Sequence, residues 1–393
     1  SPIYYLLLPF FFIFPSPVTL LMGQAAIIAS GLIPLYLICK RHKLSNAAVI
    51  LFSLCYVLLP SMANGCFFFL HENKFLTPLI LWLAFALEKN KWIPSVIFTL
   101  LLLAVKEDAP VYAAVLGLYF IVSRRNISKG ALVFVLSIIY FITVSYFMSK
   151  YGLGTMSYRY DNFIYDGSGS LFTVIKAVIL NPIYTVHEAF DEEKIKFILQ
   201  MLVPLAFMPL MIKKPSRIIL LIPFILLNLM SDYTYQHNIN FQYTYGSAAF
   251  LFYLMILNYQ DMKPGFRCKV LAVAATSSIF MFMCNTYYRT SGYESYKTDK
   301  NNGAIDIIDD ALELVPDDSS VAATTFLVAS LYDHREVYEF ESTNHRDEVE
   351  YIVLDLRISS DDFSVDDYLN NPIYETVENK PGYIAIFRNT TVE

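Results

Sequence analysis

The chain has 393 residues, of which 56 % are hydrophobic and only 16 % charged; its formal net charge is −6 and its mean hydropathy +0.46. A water-soluble domain usually carries about 25 % charged residues, so the composition excludes an ordinary soluble protein over most of the length, and the acidic balance argues against a nucleic-acid partner. The shortfall is uneven: Ile3 to Tyr288 is mostly apolar runs with short polar breaks, while Arg289 to Glu393 reads like a soluble protein. A shift this sharp marks a domain boundary.

In chain order, residues 2–14 form an apolar stretch interrupted by Pro9. The start at Ser1-Pro2-Ile3, with no Met, signal or basic flank, reads as a fragment whose N-terminal part is missing. Apolar runs near 18–39, 47–66, 74–88, 92–105, 108–123, 130–149, 197–212, 217–231, 246–260 and 269–285 follow. A spanning helix needs roughly 20 apolar residues, and many such runs in series exclude a lone secretory signal. The expected fold is an all-α polytopic transmembrane bundle of about ten spans over residues 1–288. A linker at 289–303 and a small extracytoplasmic α/β domain at 304–393 complete it.

The polar breaks alternate in charge. Lys40, Arg41, Lys43, Lys89, Lys91, Arg124, Arg125, Lys129, Lys213, Lys214, Arg217, Lys263, Arg267 and Lys269 fall in one set of loops, against two acids there, Glu88 and Asp261. The other set holds the remaining basic residues and an excess of acids. This is the positive-inside pattern. It places the basic loops in the cytoplasm, facing anionic lipid, and the loops at 67–74, 106–110, 150–196 and 232–245 outside, together with the C-terminal domain. The cysteines Cys39, Cys55, Cys66, Cys268 and Cys284 lie in or beside apolar runs without CxxC spacing, as small packing residues do.

Three outer segments carry more polar chemistry than connections need. His71-Glu72-Asn73-Lys74 sets a base, an acid and an amide at a membrane boundary, where ionisable groups are costly and often mark a site; the plain alternative is a solvated turn with Lys74 snorkelling to headgroups. Lys106-Glu107-Asp108 ends an apolar run just before Pro110. Glu107 and Asp108 could merely offset a helix dipole, or could bind a divalent cation or take a proton from a hydroxyl. Between Asp232 and Tyr245, tyrosines alternate with Gln236, His237, Asn238 and Gln242, the side-chain mix that stacks on sugars or forms an interfacial tyrosine belt. In the long 150–196 loop Arg159 is the phosphate-pairing candidate. Gly152, Gly154, Gly167 and Gly169 make that loop mobile rather than phosphate-cradling. No GxGxxG, P-loop, GxSxG or HExxH is present.

The C-terminal segment alternates helix and strand. Helical spacing covers Ala304–Leu314, strands are expected at 321–325, 337–340 and 351–356, a short helix at 365–369, and a hairpin from 374 to 387. The continuous apolar run Tyr351–Leu356 suits a central buried strand.

Phe14-Pro15-Ser16-Pro17, Gln24, Pro34-Leu35-Tyr36, His71-Glu72, Lys106-Glu107-Asp108 and the His237 to Tyr243 stretch resemble a bacterial and archaeal family of uncharacterised membrane proteins, domain-of-unknown-function family 2079. The tail, with Val315-Pro316-Asp317 and Tyr351-Ile352-Val353-Leu354-Asp355, resembles that family's C-terminal region. The family is similar in architecture to the C-type glycosyltransferases. The resemblance implies a cytoplasmic-membrane, multi-pass protein that transfers a sugar from a polyprenyl-phosphate donor on the outer face. On this reading Glu107, Asp108 and His71 are catalytic, Glu107 and Asp108 hold any divalent cation such as Mg or Mn, and Lys106, Glu72, Arg159, His237, Gln242 and Tyr243 bind substrate. The rival expectations are a transporter or flippase, and a non-catalytic membrane protein.

Overall fold

The computed structural model describes residues 1–67, 69–151, 157–164, 171–357 and 364–392. Gly152, Gly154, Gly167 and Gly169 lie outside the described residues. The chain forms two compact units, Ser1–Tyr287 and Tyr288–Glu393.

The first unit is helical. Its principal helices are Pro17–Ser30, Leu32–Arg41, Asn46–Leu58, Pro60–Cys66, Leu76–Glu88, Trp92–Leu103, Ala109–Val122, Ile127–Tyr151, Glu192–Leu202, Tyr245–Asp261 and the first part of Pro264–Asn301. Local signals set their ends. Ser45 accepts from the Ala48 amide at 3.2 Å and Asp191 from the Lys194 amide at 2.8 Å, each satisfying an orphan donor at a helix start. The 289–303 stretch expected as a linker is helical as far as Asn301.

Three helices among the described residues are long and apolar enough to cross a membrane: Pro17–Arg41, Ile127–Tyr151 and Pro264–Asn285. Asn46–Leu58 with Pro60–Cys66 adds a fourth if that pair, bent by 46°, counts as one span. This differs from the expected ten: Leu76–Glu88, Trp92–Leu103, Ala109–Val122 and Tyr245–Asp261 each fall short of 18 residues, and prolines break two further runs. The apolar run at 197–212 contains Pro204 and Pro209 and breaks at Ala206 and Phe207, both left-handed. The run at 217–231 follows Pro215, contains Pro223, and forms tight and wide helical turns rather than an α-helix. An apolar run measures affinity for a non-aqueous interior, not the length of one straight helix.

Burial sorts the helices into two shells. Leu76–Glu88 and Tyr245–Asp261 contain no exposed residue. Thr77 donates its hydroxyl to the Tyr245 carbonyl at 2.6 Å and fixes their register. Ile127–Tyr151 is the opposite case, exposing Ile139, Ile142, Tyr146 and Phe147. Apolar surface of that extent is a liability in water and is at home in lipid. Ala109–Val122 and Ile127–Tyr151 meet backbone to backbone: a Cβ on Gly117 would stand 2.7 Å from the Gly130 carbonyl oxygen. Close approach through small residues is how helices pack where lipid removes the hydrophobic drive.

Polar groups collect at the two ends of the buried pair. At one end Glu88 accepts from Tyr253 (2.7 Å) and His42 (2.8 Å) and pairs with Arg41 (3.2 Å) and Arg125 (3.4 Å). Asp261, at the close of the second buried helix, pairs with the fully buried Arg217 at 2.6 Å. The two acids of the basic loops are thus both held by the cations around them. The other end carries the site described below.

The second unit is a five-stranded sheet, β1 (Ser320–Ala323), β2 (Glu336–Glu339), β3 (Tyr351–Asp355), β4 (Tyr374–Lys380) and β5 (Ile384–Asn389), in the order β2-β1-β3-β5-β4. β3 is central, as its continuous apolar run suggests. β1 runs parallel to β2 and β3, and β5 antiparallel to β3 and β4. Val321, Val353 and Ile386 pack on the side of helix Ala304–Leu312. Ala322, Ile352, Leu354 and Phe387 pack on the side of helix Val365–Leu369. That period-two alternation makes a sheet covered on both faces.

Replacing Gly117 by Leu should force the two contacting helices apart and cost about 1–3 kcal/mol by overpacking. At Gly265 a Cβ would meet nothing within 4 Å, so Ala there should cause little change. Thermal unfolding of both variants in lipid nanodiscs checks this; equal midpoints would contradict the close-packed contact.

Candidate functional site

The site is built from four segments. The first is the turn His71–Phe75. Its position comes from Lys74, which is fully buried rather than snorkelling: its ammonium donates to Gln24 Oε1 at 2.9 Å and to the Phe69 carbonyl at 2.8 Å. A buried ammonium is tolerable only when so paired. The second is the turn at 104–108 between two apolar helices. Ile3 donates its amide to the Ala104 carbonyl at 3.1 Å, and Ser1 bonds the Val105 carbonyl, so the first residues of the chain brace this turn.

The third segment is the short helix Ser157–Phe163 in the long loop. Its Arg159 carbonyl accepts from the Asp232 amide at 2.8 Å and from Ser231 Oγ at 3.2 Å, and Tyr160 donates to the Leu226 carbonyl at 3.2 Å. The fourth is Asp232–Tyr245. Asn228, an amide set in an apolar run, donates to the Gln236 carbonyl at 2.6 Å and the Tyr243 carbonyl at 3.2 Å and so holds this loop in place.

These segments bring His71, Glu72, Lys106, Asp108, Arg159 and Tyr243 together. Glu72 is the hub. It accepts from the Tyr4 hydroxyl at 2.7 Å, with Lys106 Nζ at 3.6 Å and His71 Nδ1 at 3.7 Å. Tyr243 links the parts: its ring lies 5.7 Å from the His71 ring, 5.4 Å from Lys106 Nζ and 5.3 Å from the Arg159 guanidinium. Arg159 also faces Tyr233 at 5.0 Å and Tyr158 at 5.9 Å. It is buried, and among the described residues it forms no ion pair and its Nε has no hydrogen-bond partner. Asp108 precedes helix Ala109–Val122 without capping it by a side-chain bond. Instead it lies in the fields of Lys106, Glu107, Arg159 and Glu72, and one of its carboxylate oxygens is buried without a hydrogen-bond partner, as is one of Glu107.

Burial pushes the His71 imidazole down to about 4, aided by the charges of Lys106, Lys74 and Arg159 and opposed by Glu72. Burial would raise Glu72, but His71, the Tyr4 hydroxyl and Lys106 outweigh it and hold the carboxyl below its usual range. At neutral pH the pair is a neutral imidazole beside a carboxylate.

His237 is not part of this cluster. It turns to Glu193, with Nε2 3.6 Å from that carboxylate, and burial together with Lys194 lowers its pKa. Gln242 is buried beside Tyr243, with its Oε1 unpartnered. Among the described residues no three His, Cys, Asp or Glu side chains are arranged to hold a metal ion. Glu107 and Asp108 each keep one buried carboxylate oxygen without a hydrogen-bond partner, and carboxylate oxygens are the ligand type a hard cation takes. Sequence reasoning assigned no site role to Tyr4, Gln24 and Asn228, of which Gln24 and Asn228, polar residues inside apolar runs, carry a signal. A cleft of about 450 Å³ lined by Ser1, Pro2, Tyr4, Tyr5 and Leu8 shares Tyr4 with the cluster.

Because the folded protein holds His71 unprotonated down to about pH 4 while the unfolded chain protonates near 6.5, stability should fall as pH drops through that interval. The slope is up to about 1.4 kcal/mol per pH unit. Unfolding midpoints between pH 7 and 4 test this. His71→Gln should flatten the curve; superimposable curves would contradict the buried neutral imidazole.

A model of a family described as a predicted membrane protein, DUF2079, matches residues 1–384. No curated protein and no solved structure matches the chain.

Proposed function

The chain belongs to the DUF2079 family of predicted membrane proteins, and we propose that it is a glycosyltransferase that takes a sugar from a polyprenyl-phosphate donor at the outer face of the cytoplasmic membrane. The observation that carries this reading is the buried Arg159, free of any carboxylate partner among the described residues, beside Lys106 and the orphan oxygens of Glu107 and Asp108. A buried guanidinium held by the Tyr158 side chain and by tyrosine rings, with its Nε unmet, keeps hydrogen-bonding capacity for an anion, and Arg is the side chain best shaped for phosphate.

In the proposed reaction the acceptor hydroxyl attacks the anomeric carbon. Its proton passes to Asp108, and the bond from that carbon to the phosphate oxygen breaks. The electron pair leaves with the lipid phosphate, whose charge is met by Arg159 and Lys106. Glu72 is a positioning residue, holding Lys106 and His71 through its contacts with both. Any divalent cation held by Glu107 and Asp108 would add charge neutralisation at the same phosphate. The short helices lie embedded beside the long spans, the basic loops face the cytoplasm, and the site and residues 304–393 face outward. A transporter or flippase is less well supported. Leu76–Glu88, Ala109–Val122 and Tyr245–Asp261 carry no ionisable Lys, Arg, Asp, Glu or His between their polar ends, where a translocation path would need one.

The test uses purified protein in liposomes with a radiolabelled polyprenyl-phosphoryl hexose and an extract of outer-surface glycans as acceptor. Wild-type protein should release polyprenyl phosphate and transfer label. Asp108→Asn should cut the rate by about 10²–10⁴-fold, and Glu193→Gln, outside the cluster, should not. Full activity of Asp108→Asn would overturn the assignment.

A further inference from the structure

Beside the charged cluster lies a second set of buried groups with a different character. The short helix Pro60–Cys66, the arm of the bent pair, packs against the Gln242–Thr244 turn. Tyr245 donates its hydroxyl to the Met62 carbonyl at 2.6 Å, Asn64 donates to Asn240 at 3.1 Å, and Gly65 abuts the Phe241 carbonyl so tightly that a Cβ would stand 3.1 Å from it. The turn at 72–75 packs on the same Gln242–Thr244 segment, and its Asn73 amide bonds His71 Nδ1 at 3.2 Å.

Within this contact zone four neutral polar atoms are buried with no hydrogen-bond partner among the described residues: Ser61 Oγ, Asn73 Oδ1, Gln242 Oε1 and Thr244 Oγ1. Each residue is at most 3 % exposed. Buried polar groups are nearly always paired, and four orphans around one junction point to something polar that meets them. Two are amide oxygens, which only accept; two are hydroxyls, which donate or accept. The two amide oxygens therefore require hydrogen-bond donors, while the two hydroxyls can meet donors or acceptors. A phosphate or a carboxylate, which offers only acceptors, could meet the two hydroxyls but would oppose both amide oxygens. A ring bearing several hydroxyls is well matched.

From this geometry we infer a bipartite site. Ser61, Asn73, Gln242 and Thr244 form a subsite for an uncharged, polyhydroxylated ring, a neutral hexose rather than a uronic acid. Lys106 and Arg159 take the phosphate. Tyr243 stands between the halves: it follows Gln242 and precedes Thr244, and its ring faces Lys106 and Arg159. The inference rests on the proposed function for the identity of the phosphate half, and the neutral half is tested separately.

The experiment measures binding of two probes to the full chain in nanodiscs free of glycoside detergent: an alkyl β-glucoside without phosphate, and bare polyprenyl phosphate without sugar. Thr244→Val is nearly isosteric and removes only an orphan hydroxyl; Gln242→Leu removes an orphan amide. Each should weaken glucoside binding by 10-fold or more, leave polyprenyl phosphate binding within 2-fold, and leave the unfolding midpoint unchanged or raised. An alkyl β-glucuronide should bind wild-type protein at least 10-fold more weakly than the glucoside. The inference is overturned if the wild type ignores the glucoside, if both variants keep it, or if the midpoints drop sharply, since the orphans would then be meeting structural water. Failure of polyprenyl phosphate alone to bind would overturn the phosphate half, and with it the proposed function, while leaving the neutral subsite standing.

Discussion

The packing of Leu76–Glu88 against Tyr245–Asp261 is the contact on which the first unit depends. Neither helix has an exposed residue, and Thr77 locks one to the other through the Tyr245 carbonyl. Because both interiors are apolar, their polar chemistry is confined to their ends. A helix of this length separates the Glu88 end from the His71 end by roughly 18 Å at 1.5 Å per residue. Each end then gathers the partners that a buried charge requires. Glu88 draws His42, Arg41, Arg125 and Tyr253. The His71 end draws Glu72, Lys106 and Arg159.

Both ends keep unmet polar atoms, Ser123 Oγ, Arg217 Nε and Arg267 Nε on the Glu88 and Asp261 side and a larger set on the His71 side, but their central carboxylates differ. Around Glu88 the carboxylate is met by two neutral or ionic donors at hydrogen-bond distance and two guanidinium groups. That is a finished structural network. Around His71 the pairing is incomplete: Arg159, Glu107, Asp108, Gln242 and Thr244 each keep an unmet polar atom. Incomplete pairing inside a well-packed bundle stores a preference for a ligand, since the desolvation cost has been met in folding and the compensating bonds have not. The second unit carries no such deficit at its centre: buried Asp355 is held by Arg357 at 2.7 Å.

Much of this is legible in the sequence, and the part that is not has a physical reason. Composition and hydropathy are local, so the membrane-type first unit, the strands of the second and the Lys106–Asp108 and His71–Glu72 segments can be read directly. Loop charge carries an expectation for the side of the membrane, but none for the azimuth around the bundle. Charge alone therefore groups His237 with His71, although its packing turns it to Glu193. Lys74 sits at a helix start, where snorkelling is the common outcome; only the approach of Gln24 from a distant helix converts it into a buried brace. Hydropathy overcounts the spans for a related reason: it registers neither that four apolar helices stop short of 18 residues nor that Pro204, Pro209, Pro215 and Pro223 break two more runs into short turns.

The central claim is that one incompletely paired cluster receives a sugar linked to a lipid phosphate. The most direct test is a cryo-electron microscopy map of the full chain in nanodiscs, recorded with a non-hydrolysable polyprenyl-phosphonate hexose. The account predicts phosphonate density within hydrogen-bond reach of the Arg159 guanidinium and the Lys106 ammonium, with the Asp108 carboxylate facing the anomeric carbon. A ligand bound elsewhere, or Arg159 turned to lipid with Asp108 and His71 apart, would contradict it.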